Sequence, residues 1–191
     1  MKKNIEKFIK ESIEVKSSLL KEGPDAIERA AKLIAASFKK GGKALIFGNG
    51  GSAADSQHMT AELVGRFRKE RKALPAVALT ANTSTLTAIA NDYGYDVSFS
   101  RQVEALGSPG DVAIGISTSG NSRNVIEAVK RAKALGLKTI GIAGCGGGAL
   151  AKEAQLVIAV SSANTPRVQE AHIMIIHIIC ELIEEEMFGS R

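Results

Sequence analysis

Five short apolar runs punctuate the chain: Ala44–Phe47, Ala76–Leu79, Val112–Ile116, Thr139–Ala143 and Leu156–Val160. Each is continuous rather than alternating, so each needs cover on both faces, as a strand inside a parallel sheet has. Helix-length segments separate them, at about 53–69, 84–90, 96–106, 122–135 and 147–153. This alternation predicts an α/β protein, a three-layer α/β/α sandwich around a five-stranded parallel sheet with right-handed crossovers. The 191 residues suit one domain, and a chain that is 45% hydrophobic and 24% charged has the balance of a folded protein.

Helices flank this core. Residues 3–21 carry Ile5, Phe8, Ile9, Ser12, Ile13, Leu19 and Leu20 near one face of an amphipathic helix, which Gly23-Pro24-Asp25 breaks. Pro24 opens a second helix over about 24–40, ended by Gly41-Gly42. The last helix, about 166–188, is apolar on nearly every side between Ile173 and Cys180. A helix of that kind is covered from several directions, and with residues 1–40 it predicts a subunit interface around a 41–191 core.

The formal net charge is +5. A basic balance favours anionic partners, and Arg66–Lys72 concentrates five basic residues and one acid. That run reads as the solvated C-terminal end of helix 53–69, where cations complement the helix dipole. With 4% aromatics and no DNA-binding module, no nucleic-acid partner is expected. The charged N-terminus is no signal peptide and no apolar run is long enough to span a membrane, so a cytoplasmic protein is expected. Two cysteines, Cys145 and Cys180, exclude a disulfide scaffold and read as ordinary thiols.

Two loops stand out. The first apolar run leads into Gly48-Asn49-Gly50-Gly51-Ser52 and a helix; the third leads into Ser117-Thr118-Ser119-Gly120-Asn121-Ser122 and another helix. Glycine lets backbone approach a ligand, helix starts offer free N–H groups, and Ser and Thr add hydroxyl donors. A helix cap needs one hydroxyl, and the second loop has several. Neither loop has a GK[ST] ending or a G-x-G-x-x-G pattern, so the cradle suits the terminal phosphate of a small molecule. The glycine run Gly144–Gly148 reads mainly as a turn.

Among the three histidines, His58 shares a helix face with Glu62 four residues on, a spacing open to metal ligation, to acid–base work or to a surface hydrogen bond. Gln169 and His177 lie eight residues apart, about 80° around an ideal helix, and can edge one cleft. His177 in its apolar run needs a partner, while His172 reads as structural. Asn91-Asp92 ends a helical segment within reach of a sugar hydroxyl.

The stretches GNGGSAADSQHMTAELVGRF (48–67), AIANDYGY (88–95), GDVAIGISTSGNSRNVIEAV (110–129) and RVQEAHIMIIH (167–177) resemble the sugar isomerase (SIS) domain, and within it the phosphoheptose isomerase family, over nearly the whole chain. The resemblance implies a single flavodoxin-like SIS domain over 1–191. The implied activity is an aldose–ketose isomerase that interconverts D-sedoheptulose 7-phosphate and D-glycero-D-manno-heptose 7-phosphate, an early step toward the heptoses of lipopolysaccharide and other surface glycans. It further implies a homotetramer with one zinc per subunit. Residue by residue, it implies phosphate contacts from Ser52, Ser117, Ser119 and Ser122. Asn49, Gly50, Gly51, Asn91, Asp92, Thr118 and Gln169 would line the sugar. His58, Glu62, Gln169 and His177 would form the metal shell. Glu62 and His177 would be the acid–base pair of an ene-diol mechanism, with Arg66 orienting the Glu62 carboxylate. A zinc-bound carboxylate is a weak base, so Glu62 either alternates between the two roles or serves a structural metal. Pro166 stands where some members carry an acid. The alternative is a non-catalytic SIS protein that binds the replication initiator DnaA; retention of Glu62 and His177 favours the enzyme.

Overall fold

A computed structural model describes residues 1–189; the last two residues of the expected 1–191 domain lie outside the described residues. Helices α1 (Lys2–Glu22) and α2 (Pro24–Lys39) precede β1 (Ala44–Gly48), α3 (Gly51–Val64), β2 (Ala76–Ala78), α4 (Thr83–Tyr93) and α5 (Ser100–Leu106). Then follow β3 (Val112–Ser117), α6 (Arg123–Ala134), β4 (Lys138–Ala143), α7 (Leu150–Glu153), β5 (Leu156–Ala159) and α8 (Thr165–Phe188). The strands form the expected five-stranded parallel sheet, in the order β2-β1-β3-β4-β5.

Each central strand divides its side chains between two layers. Ile46, Ile114, Ile116, Ile140 and Ile142 pack with α2, α3 and α8. The other face is built small: Ala113 and Ala143 join Leu45 and Phe47 against α5, α6 and α7. Gly115 admits Val125 and Val129 of α6, since a Cβ there would lie 2.9 Å from Val125 and 3.2 Å from Val129. Each fully buried isoleucine on the first face contributes about 2 kcal/mol.

Helix α2 follows the sequence closely. Pro24 sits in its first turn, and Ile27, Ala30, Ala31, Ile34 and Phe38 form its buried stripe. Helix α1 differs: only Leu19 is buried, and Ile5, Phe8, Ile9 and Ile13 are each about half exposed. Helix α3 stops at Val64, with Gly65 after it, rather than running to 69. The basic run Arg66–Lys72 is therefore not a helix end. Glycine at 65 lets the chain leave the helix, and Arg71 turns inward to a buried carboxylate on α8. No helix among the described residues is long and apolar enough to cross a membrane.

His172 on α8 is fully buried and neither ring nitrogen has a hydrogen-bond partner. Burial lowers its pKa from 6.5 to about 4, and the nearby Ala143 backbone offsets this only in part. Folding thus excludes a proton that the unfolded chain accepts. Stability is full above pH 6.5 and is lost as pH falls toward about 4, on the order of 3 kcal/mol in all. His172→Leu should remove this acid-sensitive loss. Urea unfolding at about pH 7.5 and about pH 4.5 should show a smaller drop in midpoint for the variant than for the wild type.

Candidate functional site

The sheet order creates the site. From β1 the chain moves outward to β2, and from β3 it moves the other way to β4. Helix α3 packs on one face and α6 on the other, so the loops after β1 and β3 part and leave a crevice at the strand ends. The two helix starts supply backbone N–H groups without intrahelical partners.

Both expected loops line this crevice. In the first, Gly50 has φ 55°, a left-handed conformation that glycine adopts freely. Ser52 is buried in the first turn of α3, its N–H donating to Asn49 O at 2.9 Å. In the second, Ser117 and Ser122 share a hydrogen bond at 2.9 Å between their hydroxyls, and Ser119 Oγ accepts the Asn121 N–H at 3.1 Å. Thr118 directs its carbonyl to the Gly144 N–H at 3.0 Å. The glycine run is thus a turn with a second task. Gly144–Gly148 backs the hydroxyl loop so closely that a side chain at Gly120 would collide with Gly147.

Sequence reading missed the tie between the loops. Asn49 and Asn124 exchange side-chain amide hydrogen bonds at 2.9 Å in both directions, and the Tyr95 hydroxyl donates to Asn49 Oδ1 at 3.1 Å. Asn124 looked like an ordinary first-turn residue of α6, and nothing in the local pattern marks it. Asn91 and Asp92 are exposed in the last turn of α4 and bond to each other at 2.8 Å, with no bond to either loop.

A second cluster lies further along α3. His58 and Glu62 share a face, with Nε2 and Oε1 3.1 Å apart. His177 of α8 brings its Nε2 to 3.0 Å from the same His58 nitrogen. One ligand atom from each residue lies within 4.8 Å of the others. Two imidazoles and a carboxylate at that spacing suit a zinc-type ion with a coordination position to spare. Gln169, two turns before His177, rests against Gly51, where any side chain would collide with its amide. The ring of Phe67 stacks on His177 at 5.5 Å and 27°.

One expectation is corrected here. Arg66 does not reach the Glu62 carboxylate: it lies beyond the end of α3, and its Nε approaches Glu70 at 3.8 Å. Arg71 is the residue near Glu62, donating to its backbone carbonyl at 2.7 Å. Asp55 also went unnoticed. It lies one turn before His58, its Oδ2 has no partner, and burial raises its pKa to about 6 although His58 pulls it down.

The SIS domain family profile matches residues 7–144. The phosphoheptose isomerase of Clostridium acetobutylicum is 54% identical over 193 aligned positions, covering 100% of this chain and 98% of the relative. That of Aquifex aeolicus is 54% identical over 185 positions, covering 97% of each. The solved phosphoheptose isomerase of Neisseria gonorrhoeae superposes with a TM-score of 0.92 at 44% identity, covering 96% of this chain and 98% of that one. The chain belongs to the phosphoheptose isomerase family of SIS domains.

Within this SIS domain the Asn49–Asn124 pair is the one side-chain bridge described above between the two loops, so it should set their separation. Asn124→Ala should weaken binding of inorganic phosphate about tenfold. Isothermal calorimetry measures this, and thermal unfolding should confirm that the variant is folded.

Proposed function

We propose that this protein interconverts D-sedoheptulose 7-phosphate and D-glycero-D-manno-heptose 7-phosphate, supplying heptose for bacterial surface glycans. The observation that carries this reading is the meeting of Glu62 and His58 with His177, from a distant part of the chain, on the helix that begins at the glycine loop. The names of the full-length relatives support the same substrate, and the initiator-binding alternative draws no support from them.

Ser52, Ser117, Ser119 and Ser122, with the helix starts, hold the terminal phosphate. That contact is remote from the reacting carbons and fixes their position. Asn49, Gly50, Gly51, Asn91, Asp92, Thr118 and Gln169 line the sugar. Glu62 takes the proton from the carbon beside the carbonyl and returns it to the neighbouring carbon. His177 moves the proton between the two oxygens. Each transfer accounts for about 10²–10⁴-fold in rate. His58, Glu62, Gln169 and His177 would hold one zinc per subunit, with Glu62 alternating between ligand and base; when bound, the ion would polarise the substrate carbonyl.

The chain acts as one cytoplasmic SIS domain whose residues 1–40 pack between subunits of a homotetramer. Support comes from the half-exposed apolar face of α1 and from a groove of about 520 Å³ where Ile13 and Leu20 face Met174, Ile178 and Leu182. That groove continues past Ile13 toward Ile5, Phe8 and Ile9. A second copy of the chain covers it.

Purified protein incubated with sedoheptulose 7-phosphate should produce the aldose by NMR, and prior treatment with a chelator should suppress it. Glu62→Gln should keep the fold and lose turnover by 10²-fold or more; a variant of near-normal rate refutes the base assignment. Ile13→Asp should shift sedimentation from tetramer to smaller species, and an unchanged tetramer would remove α1 from the interface.

A further inference from the structure

The chain beyond α3 folds around one buried ion pair. The Arg71 and Glu184 side chains are each 2% exposed, with Nε and Oε1 3.0 Å apart. Glu184 Oε1 also accepts the Phe67 N–H at 3.0 Å, and Oε2 accepts the Arg68 and Lys69 N–H groups at 2.9 Å each. Arg71 donates to the carbonyls of Glu62 at 2.7 Å, Leu63 at 2.8 Å, Gly65 at 2.9 Å and Lys72 at 3.2 Å. A buried pair offsets its desolvation only when its remaining hydrogen-bonding groups are engaged in this way. Burial opposes ionisation of Glu184, yet the three N–H groups and Arg71 hold its carboxyl below the ordinary range.

Two of these bonds reach the metal-type cluster, one at a member and one at a residue packed against it. One holds the backbone of Glu62 itself. The other holds the backbone of Phe67, whose ring stacks on His177. Glu184 also stands two turns beyond His177 on α8. The pair thus touches the α3 side and the α8 side of the cluster at once.

We propose that Arg71 and Glu184 are positioning residues that set the distance between Glu62 and His177 for metal binding, an inference that rests on the zinc reading above. The probe is Zn²⁺ alone, titrated into chelator-stripped full-length protein in competition with a chromophoric chelator. Glu184→Gln keeps the side chain's size but presents an amide to N–H donors. Its zinc affinity should fall about 10–100-fold, the usual cost of losing an outer-shell partner. Its affinity for inorganic phosphate at the loops should stay within about twofold of wild type, whereas a merely structural role would lower the melting temperature and leave zinc affinity intact. A folded Glu184→Gln protein with wild-type zinc affinity overturns the proposal. Should that variant fail to fold, Arg71→Lys is read by the same titration. It keeps the charge but lacks the fork that reaches Glu62, and unaltered zinc affinity there is equally fatal. Wild-type protein that takes up no zinc overturns this inference and the zinc reading together. Wild-type protein that binds zinc beside an equally tight variant overturns this one alone.

Discussion

Strand β1 hydrogen-bonds to β2 on one side and to β3 on the other, and the helices that follow β1 and β3 lie on opposite faces of the sheet. The loops at those two strand ends therefore cannot close over one another. A gap lined by two helix starts is the geometric result, and the glycine loop and the hydroxyl loop border it. The hydroxyls of the second loop, the glycines of the first and the Asn49–Asn124 amide pair refine a gap that the strand order already provides.

The second consequence concerns α3 and α8. Gln169 meets Gly51, His177 meets His58, and Glu184 meets the backbone of residues 67–69. Contacts in that order along both segments mean that the two helices run side by side in the same direction. The intervals, seven residues from Gly51 to His58 and eight from Gln169 to His177, correspond to about 11 and 12 Å of rise, so the contacts keep step. Glycine at 51 admits the first contact and a buried ion pair seals the last. The imidazoles of His58 and His177 meet between these two contacts, their Nε2 atoms 3.0 Å apart.

Buried ionisable groups are handled in contrasting ways. Glu184 is surrounded by donors and stays ionised, while His172 has none and stays neutral. Asp55 is intermediate: its carboxyl is partly buried without a partner at Oδ2, and it is raised toward neutrality close to His58. Cys180, between these groups on α8, is pushed up to about 12, first by burial and then by Glu62 and Glu184, so its thiol stays protonated and inert.

Much of the architecture is legible in the residues alone, because periodicity and apolar runs report local burial directly. The five strands, the two loops and helix α2 with its Pro24 start all follow from spacing. So does the shared face of His58 and Glu62, since four residues in a helix bring side chains together whatever the rest of the chain does. What crosses between segments is not written locally. Arg71 sits in a cationic run that reads as solvated surface until α3 ends at Gly65 and turns it inward. Glu184 carried a faint signal, as an acid four residues beyond Cys180 on the stripe that α8 buries. Asn124 carried none. The approach of His177 to His58, across 119 positions, depends on how two helices lie against one sheet, and only the packed chain decides that.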